Sequence, residues 1–189
     1  MDSTLFYLIL FAHWVSLIVA FGAVLLIDFY GLLWMLGKQS LRHVFKVADI
    51  AQRLVWLGWG GLVATGIPLL IIKAFVDNLT LMKIFLVLLV GLNGLYLDSI
   101  KKAGEKLPEC EKTPFWLIYR MGLSTVISQV GWWGTIVIGF LHRNIDHVIQ
   151  WPKSPLVLMA IVALVFGAAF SLGVFVFRKK APAADYSNQ

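Results

Sequence analysis

The stretch Pro155–Phe177, PLVLMAIVALVFGAAFSLGVFVF, runs for 23 residues without a charged side chain. An α-helix needs ~20 mostly apolar residues to cross the hydrocarbon core of a bilayer. A barrel strand would need only ~10, with strict alternation of apolar and polar positions. Runs such as LVLLV and IVALVF do not alternate. An amphipathic soluble helix would show a polar stripe every 3.6 residues, and neither this run nor Leu17–Ile27 has one. The stretch therefore reads as a transmembrane helix.

Working outward, four more segments read the same way: Leu5–Leu36, Gln52–Ile72, Leu79–Leu97 and Trp116–Leu141. The predicted fold is all-α, an integral membrane bundle of five transmembrane helices. It forms a single domain over residues 1–180, followed by a small, polar, disordered tail at 181–189. Composition agrees. Of 189 residues 60% are hydrophobic and 14% charged, with a mean hydropathy of +0.84, against ~25% charged in soluble domains. An ordinary soluble domain is excluded.

The net charge of +6 would point to nucleic acid in a soluble chain, but here the basic residues alternate with the apolar runs. Lys38, Arg42, Lys46 and Arg53, then Lys101, Lys102, Lys106, Lys112 and Arg120, then Arg178, Lys179 and Lys180 fall on one side, 12 in all; Lys73, Lys83, Arg143 and Lys153 make 4 on the other. Cytoplasmic loops are enriched in Lys and Arg. The expectation is a multi-pass protein of the cytoplasmic membrane, N-terminus outside and C-terminus cytoplasmic. Lipid is the expected partner and nucleic acid is not. The first apolar run has no basic flank before it and exceeds a signal-peptide core, so it reads as a retained helix. Cys110 is the chain's one cysteine and reads as an inert thiol in a cytoplasmic loop spanning Asp98–Pro114, itself a solvated linker.

Ionisable groups inside spans are costly and mark functional candidates. His13 lies deep in the first helix, and imidazole ligates metals and haem. Asp28 lies fifteen residues further along the same helix. Arg53 and Arg120 enter from its side of the membrane, and both are candidates for a structural ion pair. Lys83 stands one turn into the third helix. Asn93 and Gln129 lie near mid-membrane and are expected to hydrogen-bond between helices. His142, Asp146 and His147 cluster after the fourth helix, where His142 and His147 are candidate metal ligands together with His13. Glycines crowd helices two and four, either for close helix contact or to leave room for a flat ligand. Trp132 and Trp133 are either packing residues or a stacking surface for a cofactor. Phosphate-loop, HExxH, nucleophile-elbow and CxxCH motifs are absent from the sequence, so zinc proteolysis and covalent haem attachment are not supported.

Four stretches together, FAHWVSLIVAFGAVLL, QRLVWLGWGGLVATGIPLL, LMKIFLVLLVGLNGLYLDSIKK and YRMGLSTVISQVGWWG, resemble small membrane proteins of the HemJ and CopD type over roughly residues 5–140. The resemblance rests on His13, Arg53, Lys83 and Arg120 in that order. It implies haem binding through His13 and Lys83. The leading expectation is thus a bundle binding b-type haem in its outer half, passing electrons to a quinone or a redox partner. Two alternatives stay open: handling of copper or another metal ion, and a non-catalytic membrane subunit; an oligomer is compatible with all three readings.

Overall fold

Helices must satisfy their own backbone hydrogen bonds where no water can, and the long apolar runs do so. The computed structural model describes residues 3–105, 113–145 and 151–178. Among these the chain forms five helices: α1 Ser3–Met35, α2 Leu41–Lys73, α3 Asn78–Glu105, α4 Phe115–Asn144 and α5 Pro155–Arg178. All five are long and apolar enough to cross a membrane. Cys110 and the 181–189 tail lie outside the described residues.

The helices outrun the apolar segments. α2 starts at Leu41, eleven residues ahead of the expected Gln52, so His43 and Lys46 lie on a helix and not in a loop. Ser40 caps it, its hydroxyl accepting from the His43 amide at 3.2 Å. The connection before it is short because Gly37, at φ +70°, closes α1. The Gly37 and Lys38 amides return to the Trp34 and Leu33 carbonyls, a Schellman ending that needs the left-handed conformation glycine adopts freely. α3 likewise continues to Glu105, so the first eight residues of the expected 98–114 linker are helical. Lys102 pairs with Asp98 at 2.6 Å one turn away. His142, expected just past the fourth helix, lies on α4. Hydropathy falls at the edge of the lipid, whereas a helix ends only where its backbone is capped. α2 is continuous through Pro68.

The arrangement is two antiparallel hairpins, α1–α2 and α3–α4, with α5 against α3 and α4. Within each hairpin the helices lie close along their length, but the hairpins meet along narrow α2–α3 and α1–α4 seams. Glycines set the close approach. A Cβ on Gly58 would fall 2.6 Å from the Ser16 carbonyl oxygen, and Gly91 and Gly94 seat the Trp59 and Trp56 rings. Gly131 and Gly134 take Val90 and Leu86. Those glycines are filled by protein. The shared core is small: Ala20, Val24, Leu62, Val90 and Trp132, drawn from four helices. Elsewhere the apolar side chains face outward (Phe11 is 68% exposed and Leu164 71%), as expected where the solvent is lipid.

Candidate functional site

The richest polar constellation lies at the α2–α3 turn. α2 ends with Lys73 in its last turn, and Ala74 adopts a left-handed conformation that turns the chain. Asp77 then caps α3: its Oδ1 accepts from the Thr80 amide at 2.7 Å, and the positive end of the helix dipole favours its charge. Lys73 Nζ pairs with Asp77 Oδ2 and donates to Thr80 Oγ1 at 3.0 Å. From α4, His142 Nε2 comes to 3.3 Å from Asp77 Oδ2 and 3.0 Å from Lys73 Nζ. Its Nδ1 is 3.4 Å from Lys83 Nζ. Both lysines have only protons to offer, so the imidazole sits between two ammonium groups and the Asp77 carboxylate. Burial opposes the Asp77 charge, but hydrogen bonds from Lys73 and Thr80 outweigh it and hold the carboxyl below the usual carboxylate range.

Among the described residues no hydrogen bond or ion pair joins Lys83 to His13, and α1 and α3 make no direct helix contact. His13 Nδ1 is 2.8 Å from Thr65 Oγ1. That hydroxyl donates its single proton to the Gly61 carbonyl at 2.6 Å, so it accepts from His13 Nδ1–H. The ring also lies against the Leu62 backbone, and its Nε2 makes no side-chain hydrogen bond among the described residues. Gly66 lies beside the ring, where a Cβ would sit 3.5 Å from Cε1.

The other candidates fall elsewhere. Asp28 accepts from the Gln129 amide, and among the described residues it forms no ion pair with Arg53 or Arg120. Arg120 Nε donates to the Tyr96 hydroxyl at 2.8 Å, with its guanidinium over the Tyr96 and Trp116 rings. Arg53 lines a cavity of about 300 Å³ with Asp49, Gln52, Trp56, Leu95, Asp98 and Lys101. Asn93 and Ser124 exchange two hydrogen bonds, at 2.9 and 2.8 Å, in the α3–α4 interface. Trp132 is buried in the core and Trp133 is half exposed. His147 and Asp146 lie outside the described residues. Among the described residues no three of His, Cys, Asp or Glu converge as a metal group would require.

Sequence reading missed Thr65, Lys73, Asp77 and Thr80. Two signals were present: the Lys73–Asp77 spacing of four, and an Asp three residues before Thr80 at a helix start. Nothing in the sequence pointed to Thr65. Comparison of the chain with protein-family models, with curated proteins and with solved structures gave no match.

Proposed function

We propose that the chain is a multi-pass protein of the cytoplasmic membrane, N-terminus outside, that binds a b-type haem between its two hairpins and works in electron transfer. One observation carries the reading: Thr65 engages His13 Nδ1, which leaves Nε2 as the nitrogen open to a ligand. A ligating histidine commonly has its other nitrogen fixed in this way. The donor set suits haem, which asks for an imidazole at the iron and cations for its carboxylates. The chemistry such a group supplies when bound is one-electron transfer, with a membrane quinone or a redox protein as the other party.

The chain's own residues have separate tasks in this reading. Thr65 orients the imidazole. Lys83 supplies positive charge, and His142, itself held by Asp77, keeps Lys83 in place. The excess of basic residues, 12 against 4, supports the orientation. Metal-ion handling has less behind it, because the partners of both His142 nitrogens are already in place.

Protein purified from haem-replete cells should show a Soret band that His13→Ala abolishes and Thr65→Val shifts. A wild-type protein with no Soret band would overturn the proposal. So would a His13→Ala protein that keeps the wild-type spectrum. Lowered thermal stability in His13→Ala, with no Soret band in either protein, would indicate a purely structural histidine.

A further inference from the structure

Asp28 is the one Asp or Glu within the described part of α1. Its neighbours on the helix, Leu25, Phe29 and Leu32, are 43–55% exposed, so it sits at the lipid-facing edge of the narrow α1–α4 seam. From α4 one group bonds to it, a side chain that does not titrate. Gln129 Nε2 donates to Asp28 Oδ2, and Gln129 Oε1 accepts from Trp133 Nε1 at 2.9 Å. An indole nitrogen can only donate, so Trp133 fixes the amide with its NH2 group toward Asp28.

On α2, the antiparallel pairings Ser16–Gly61 and Tyr30–His43 bring Lys46 and Asp49 to the level of Asp28. Asp49 is paired with Lys101, and Lys46 is exposed. Among the described residues neither forms an ion pair with Asp28, and Gln129 is its one hydrogen-bond partner. A small metal cation would need several oxygens, and the oxygen of its hydrogen-bond partner, Gln129 Oε1, is committed to Trp133. A proton needs only the carboxyl itself. Intramembrane carboxyls without a counter-charge are the groups from which proton relays are built.

We propose that Asp28 is a membrane-embedded proton-binding site, formed by one carboxyl and the Trp133-oriented amide of Gln129 at the α1–α4 seam. It does not depend on the haem reading, since its residues and its helix contact are different.

A hydrophobic carbodiimide tests it. The reagent adds the carboxyl O–H across its C=N bond, and acyl migration leaves a stable N-acylurea with no leaving group. On the full chain in lipid vesicles, dicyclohexylcarbodiimide should label Asp28, and labelling should fall as pH is raised. A water-soluble carbodiimide should label the exposed Glu105 and spare Asp28. Asp28→Asn should lose the label. On unmodified wild-type protein, infrared spectroscopy should show a protonated-carboxyl band in lipid, absent in Asp28→Asn and displaced in Asp28→Glu. No label on Asp28 at any pH while the reagent labels other carboxyls, labelling that ignores pH, or no such infrared band would each overturn the proposal.

Discussion

Asp77 and Asp28 are both carboxyls in an apolar chain, and they are treated in opposite ways. Asp77 stands at the α2–α3 turn with a lysine, an imidazole, the Thr80 backbone amide and a helix N-terminus around it. Asp28 has, among the described residues, a single neutral amide. An ionised carboxylate away from water persists when its neighbours compensate the charge. The first is therefore built to stay charged and to hold His142 and Lys83 in place. The second is built to exchange a proton. Burial alone does not separate the two; their partners do.

The comparison is sharpened most by removing the compensated carboxylate. Asp77→Ala leaves Lys73, Lys83 and His142 facing one another without an anion. Removing one partner of a buried pair costs about 3–5 kcal/mol. Lys73 is 24% exposed, so solvent screening brings the expected loss to about 2–3 kcal/mol. Equilibrium unfolding in a defined detergent measures it. A change below about 0.5 kcal/mol would show that the cluster is not compensated as its geometry suggests.

Acid should produce a smaller loss. Because the folded Asp77 carboxyl titrates below its ordinary value, its contribution is fully present above the unfolded carboxyl's pKa of about 3.9. It is lost as pH falls from there through the folded value. Stability of the wild type relative to Asp77→Asn should converge across that window. A difference between the two that is constant down to pH 2 would contradict the assignment.

The least effect is expected at the other carboxyl. Asn at position 28 is isosteric and its carbonyl oxygen still accepts from Gln129, so Asp28→Asn should cost less than about 1 kcal/mol while abolishing carbodiimide labelling. A loss as large as that of Asp77→Ala would break the contrast and make Asp28 a structural charge.

Asn93 and Gln129 were legible as interhelical hydrogen-bonding groups because a polar side chain in a lipid-facing run must find a partner on another helix. His13 and Lys83 were legible as candidates by the same rule. Their partners were not, because Thr65 and Gly61 are unremarkable in a helix until its rotation against α1 is known. The lengths of α2 and α3 were underestimated because hydropathy reports where lipid ends, while Ser40 and the Lys102–Asp98 pair carry the helices beyond it.

The sequence by itself determined that there are five helices able to cross a membrane and where their apolar stretches lie. Both follow from local hydropathy and from the need of each backbone to satisfy itself in lipid. Only the tertiary structure decided which polar groups meet. Lys73 and His142 are 69 positions apart, Asp28 and Gln129 are 101, and no local pattern encodes the rotation and register that bring them together. That geometry is set by glycines accepting Ser16, Trp56 and Trp59, which is packing between helices and appears only once they are assembled.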